Sequence, residues 1–91
     1  MRFVADGMLG KLTRWLRMLG HDVTYSNSLG DDELIKVAKE EQRILLTRDI
    51  RLYQKAATDN VRAFLIEGET ECDRLAVLAK KYEFSLTIDI S

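Results

Sequence analysis

Asp6, Asp31, Asp32 and Asp49 are the side chains of this sequence best suited to chemistry. Carboxylates brought together repel, and one of them is driven to protonate unless a cation joins them. Hard oxygen ligands that leave water positions open suit Mg²⁺ or Mn²⁺. Each aspartate also has a structural use. Asp6-Gly7 makes a turn, Asp31 or Asp32 an N-cap, and Asp49 a cap for whatever helix follows it. What favours a site over four separate caps is position, and position depends on the elements that carry them.

Lys11, Arg14 and Arg17 recur at i, i+3 and i+6 and form a drifting basic ridge on one helix. Such a ridge is either a solvated face or a row of phosphate contacts. Lys11 and Arg14 lie closest to the Asp6 turn, and Arg48 directly precedes Asp49. Gly7-Met8-Leu9-Gly10-Lys11 has two residues between its glycines and Leu12 after the lysine. A phosphate-binding loop needs four residues and then Ser or Thr, so a nucleotide triphosphatase is excluded. His21 has no Ser or Cys partner in a triad pattern and reads as a cap or surface residue. Trp15 falls in an apolar stripe and reads as core. Cys72 reads as inert packing on the inward side of its helix.

The elements follow from periodicity. Arg2–Ala5 is a short apolar strand. Met8, Leu9, Leu12, Trp15, Leu16 and Leu19 mark one face of a helix over 8–19, which Gly20 stops. Asp22–Tyr25 is a second strand and 26–30 a loop. Asp31-Asp32-Glu33 opens a helix to about Glu41, with acids in the first turn as the helix dipole prefers. Arg43–Thr47 is a third strand; its run Ile44-Leu45-Leu46 suits a parallel strand covered on both faces. A helix over 50–57 follows, with Leu52, Tyr53, Ala56 and Ala57 inward. Then come a strand over 61–66 and a helix over 69–82, with Cys72, Leu75, Ala76, Leu78 and Ala79 inward. Residues 85–90 alternate as a fifth strand or a tail.

This alternation predicts an α/β, doubly wound, mainly parallel sheet of four or five strands with helices on both faces. The expected order is 2-1-3-4. Ligands of such sheets bind at the carboxyl ends of the strands, where the order reverses. Here that crevice lies between strands one and three. Asp6 ends strand one, Asp49 ends strand three, and Asp31 and Asp32 start the helix after strand two, so all converge on one edge.

Composition bounds the rest. The chain has 91 residues, 46% hydrophobic and 32% charged, which suits one domain over residues 1–91 and excludes disorder. One cysteine excludes an internal disulfide and a four-cysteine zinc site. No apolar run reaches the length of a membrane span, and the N-terminus is too soon charged for a signal peptide, so the expectation is no membrane and a cytoplasmic location. The net charge of −1 excludes binding to nucleic acid through bulk charge alone. The distribution is uneven. Residues 1–20 hold Arg2, Lys11, Arg14 and Arg17 against Asp6, whereas 31–41 hold five acids against Lys36 and Lys39.

Four blocks carry a family resemblance: Phe3 to Leu12, Trp15 to Asp22, Asp31 to Leu34, and Arg43 to Asp49. In order and in register over about residues 2–66, they resemble the Mut-seven C-terminal RNase-like family, a branch of the PIN-domain nucleases. The resemblance implies a PIN-like fold and a metal-dependent endoribonuclease. It implies Asp6, Asp31 and Asp49 as catalytic ligands of Mg²⁺ or Mn²⁺, Asp32 as candidate fourth ligand, and Thr47 and Arg48 as members of the same strand-end motif. With Lys11 and Arg14 they form the expected RNA contacts. RNA is the expected partner and a second copy of the chain a candidate one. Family members commonly continue into a zinc ribbon with paired Cys-x-x-Cys. Within these 91 residues Cys72 stands alone. That departure bears on zinc and substrate affinity, not on the acidic cluster. Two alternatives remain. One is a non-catalytic RNA-binding or protein-interaction module. The other is a receiver-like phosphoacceptor at Asp49, ranked last because strand four ends Leu65-Ile66-Glu67-Gly68 without the lysine a receiver places there.

Overall fold

A computed structural model describes residues 2–26, 28–68 and 70–82. The elements are β1 (Arg2–Ala5), a 3-10 turn (Gly7–Leu9), α1 (Gly10–Met18), β2 (Asp22–Tyr25), α2 (Asp31–Glu40), β3 (Ile44–Thr47), α3 (Ile50–Thr58), β4 (Ala63–Leu65) and α4 (Glu71–Tyr82). The four strands form one all-parallel sheet in the order β2-β1-β3-β4. The expected fifth strand at 85–90 lies outside the described residues.

Side chains alternate across a strand, so the consecutive apolar residues of β1 and β3 feed two cores. Phe3, Ala5, Ile44 and Leu46 face Leu9, Leu12 and Leu16 near α1 and Leu75 and Leu78 of α4. Val4 and Leu45 face Leu34, Ile35 and Ala38 of α2 and Leu52 and Ala56 of α3. The chain steps from β1 one way to β2, then back across to β3 and β4. Crossovers of one hand place α1 on one face and α2 and α3 on the other, as observed. All four residues of β3 are buried.

The three αβ junctions share one geometry. After α1, α2 and α3 the chain passes through a left-handed residue, Gly20, Gln42 and Asn60 respectively. The next amide then returns to the helix: His21 N–H to the Leu16 carbonyl, Arg43 N–H to Ala38, and Val61 N–H to Ala56. This closes the orphan carbonyls of each helix end. At the amino end of the sheet, buried Arg43 donates to the Phe3 carbonyl, to Asp22 and to Glu41. Burial opposes its charge, and the two carboxylates outweigh burial and raise its pKa above the ordinary value.

Three expectations are corrected. The first helix does not begin at Met8: Asp6 caps a 3-10 turn, and the α-helix starts at Gly10. Trp15 is not core. The stripe facing the sheet is Leu9, Leu12 and Leu16, and Trp15 sits on its outer flank, 45% exposed. Cys72 and Ala76 do not face inward. The buried positions of α4 are Leu75, Leu78 and Ala79, and Cys72 lies one turn before the first of them, exposed.

Candidate active site

A cleft of about 360 Å³ opens at the carboxyl ends of β1 and β3, where the strand order reverses. Asp6, Asp31 and Asp49 line it, with Gly7, Met8, Ser26, Leu29, Leu34 and Leu52. Each carboxylate comes from a different junction: Asp6 after β1, Asp31 at the start of α2, Asp49 between β3 and α3.

Asp6 and Asp49 are held by the same device on neighbouring strands. Each follows its strand in an extended conformation, caps the next turn or helix, and accepts the amide N–H two residues on, Met8 at 2.9 Å for Asp6 and Arg51 at 2.9 Å for Asp49. An aspartate so placed satisfies an orphan donor of the following turn. Thr47 links the two. Its buried hydroxyl donates to Asp6 Oδ2 at 2.6 Å and accepts the Asp49 N–H at 2.9 Å. Asp6 is itself buried, so its carboxylate has a fixed orientation. Asp31 is different. The N-cap of α2 is Gly30, without a side-chain bond, and Asp31 is the first helical residue, exposed. Among the described residues, Asp49 Oδ2 and both oxygens of Asp31 accept no hydrogen bond.

Asp32 does not line the cleft. It points along the surface to an ion pair with Lys55 of α3. Its hydrogen bond, helped by the charge of Asp31, holds the Lys55 ammonium above its ordinary pKa range. Lys11 and Arg14 are exposed on α1, outside the cleft. Arg17 donates twice to the Val23 carbonyl, at 3.2 and 2.8 Å, and so ties α1 to β2. Arg48 turns to the Gly68 carbonyl at 3.1 Å, which also accepts from Arg74.

Two contributors escaped the sequence reading. The Tyr25 hydroxyl at the end of β2 donates to the Gly7 carbonyl at 3.0 Å and braces the turn that carries Asp6. A Cβ at residue 10 would lie 3.3 Å from that hydroxyl, so Gly10 lets the tyrosine approach. Lys55 is the other, a cation beside Asp31 and Asp32. The order 2-1-3-4 places Tyr25 beside Ala5 and was the available signal for the first. Nothing in the spacing signals the second.

The donors suit a hard divalent cation held by one or two carboxylates, with water completing its shell, as Mg²⁺ usually is. They do not make a closed cage: among the described residues, no three His, Cys, Asp or Glu side chains form a group that could hold a metal ion. A second cavity of about 350 Å³ opens at the other end of the sheet and includes Lys39, Arg43 and Arg62. Its buried cation, Arg43, is already paired.

A family model, the Mut7-C RNAse domain, matches residues 1–91. The chain belongs to the Mut7-C RNAse domain family. No curated protein and no solved structure matches it. Membership assigns this Mut7-C domain a nuclease-like role directed at RNA, and its four-stranded parallel sheet is the doubly wound, PIN-like architecture. No described helix is long and apolar enough to cross a membrane.

Proposed function

We propose that this Mut7-C domain is a metal-dependent endoribonuclease whose working centre is the cleft of Asp6, Asp31 and Asp49. The observation that carries the reading is the arrival of three carboxylates from three junctions at the switch-point crevice, where ligands of such sheets bind. Asp31, and Asp49 through the Oδ2 that accepts no described hydrogen bond, would hold Mg²⁺ or Mn²⁺. Asp6, locked by Met8 and Thr47, would orient water in its shell. When bound, such an ion supplies a lowered water pKa and positive charge at the phosphate. The protein's part is to fix the carboxylates and steer the strand. Thr47 keeps Asp6 and Asp49 in register, and Lys11, Arg14 and Arg48 attract the flanking phosphates.

The test is cleavage of a mixture of structured and unstructured RNA with Mn²⁺, comparing the wild type with Asp31→Asn and Asp49→Asn. Asp31→Asn is the cleaner variant, because Asp31 makes no hydrogen bond within the described fold. Loss of cleavage by at least about 100-fold in both variants, with the fold intact by circular dichroism, is expected for a group that holds the metal. Undiminished cleavage in both would refute the site.

A further inference from the structure

We propose that the solvent face of α1 and the turn before it is a track for unpaired nucleic acid, with Trp15 a platform on which a base stacks. The proposal rests on the nuclease reading above and adds the surface that carries the strand away from the cleft.

The exposed large apolar side chains among the described residues are Met8, Trp15, Met18, Ile50 and Val77. Three of these five lie on this one face. Met8 is 68% exposed, Trp15 45% and Met18 56%. Lys11, Trp15 and Met18 follow the spacing i, i+4, i+7, which is one side of α1, and Met8 stands in the turn before it. Arg14 flanks them. Residues 7–21 contain no Asp or Glu, so the face is apolar and cationic throughout. An apolar protein partner explains the Met and Trp but not the absence of acids. A duplex explains the cations but offers the indole no base face. Unpaired nucleic acid uses both, because its phosphates meet Lys11 and Arg14 and its bases expose π-faces.

The face is continuous with the cleft. Met8 lines the cleft beside Asp6 and Asp49. A strand with a phosphate at the carboxylates therefore leaves across Met8 and runs down α1. From Met8 to Met18 the rise is roughly 15 Å, the span of about four stacked nucleotides. Trp15 lies past the midpoint, where it would hold one base two or three nucleotides from the carboxylates.

Trp15 is the only tryptophan, so its emission reports on this face alone. The experiment titrates the protein, with divalent metal withheld, with an oligoribonucleotide of about 12 nucleotides and with the same sequence as a duplex. Saturable quenching by the single strand and little by the duplex is expected. Anisotropy of the labelled single strand should show Trp15→Leu binding at least about 5-fold more weakly, and Trp15→Phe restoring most of the affinity. Unchanged affinity in Trp15→Leu, or equal binding of the duplex, overturns the track. So does a dimer in sedimentation that Trp15→Leu dissolves, since a second copy would then cover the face. The two readings fail separately. Quenching without Mn²⁺-supported cleavage removes the nuclease and leaves the track. Cleavage and binding both indifferent to residue 15 remove the track and leave the nuclease.

Discussion

Replacing Thr47 with valine isolates the hydroxyl that joins the two strand-end aspartates. The residues have the same shape, so the change opens no cavity in a position that is fully buried. It deletes the donor to Asp6 Oδ2 and the acceptor of the Asp49 N–H. A hydrogen bond to a charged group contributes about 1.5–3 kcal/mol and a neutral one about 0.5–1.5. Asp49 is exposed, and its amide can recover a water. Asp6 is buried and cannot recover one as easily. The expected cost is therefore about 2–3 kcal/mol, most of it at Asp6. For a chain of this size that lowers Tm by roughly 8–24 °C. Urea unfolding followed by circular dichroism measures it. Thr47→Ser keeps the hydroxyl and should lose only about 1 kcal/mol for its methyl group. In an Asp6→Ala background the valine substitution should cost at least about 1.5 kcal/mol less, because the bond it breaks is already gone. A Thr47→Val protein within about 0.5 kcal/mol of the wild type would refute the argument. So would an equal cost in both backgrounds.

Mg²⁺ or Mn²⁺ at 100 times its Kd should stabilise the fold by about 2.7 kcal/mol in thermal denaturation, and Asp31→Asn should remove that response. Lys11→Ala/Arg14→Ala should weaken RNA binding and flatten its log–log salt slope by about 1.4, read by anisotropy at several salt concentrations; an unchanged slope means the ridge is merely solvated. Gln42→Gly and Asn60→Gly should each raise stability by about 0.5–1 kcal/mol in urea melts, since both residues hold a left-handed conformation that glycine adopts without strain. His21 is half-buried against Phe3, and desolvation, with the N-terminal charge second, lowers its pKa. The unfolded chain therefore takes up a proton that the fold resists. Stability should be full above pH of about 6.5 and decline as pH falls through that value, and His21→Phe should reduce the decline in Tm measured against pH.

The architecture was legible because its signals are local. Ile44-Leu45-Leu46 in an unbroken run needs a strand covered on both sides, and β3 is that strand. Four strands alternating with four helices, joined by crossovers of one hand, leave few orders, and β2-β1-β3-β4 was the expected one. From that order alone Asp6 and Asp49 fall at one edge beside the start of α2. The family was legible too, from four blocks spaced along the chain, and the match over residues 1–91 agrees.

Tertiary structure decided what each group does once it arrives there. Spacing does not say that the Thr47 hydroxyl lies between Asp6 and Asp49, because that contact joins two strands paired by register. Nor does it separate Asp31, with both oxygens free of described partners, from Asp32, drawn off by Lys55 on another helix. Helical periodicity treats every member of an apolar stripe alike. Packing does not: a sheet covers only the centre of the stripe, so Leu12 and Leu16 are buried while Trp15 on the flank stays half in water. Residue type and period 3.6 determine which side of α1 turns toward the sheet. How far the sheet and α4 extend around that side determines where burial ends, and that boundary is a property of the assembled layers, which no segment of sequence contains by itself.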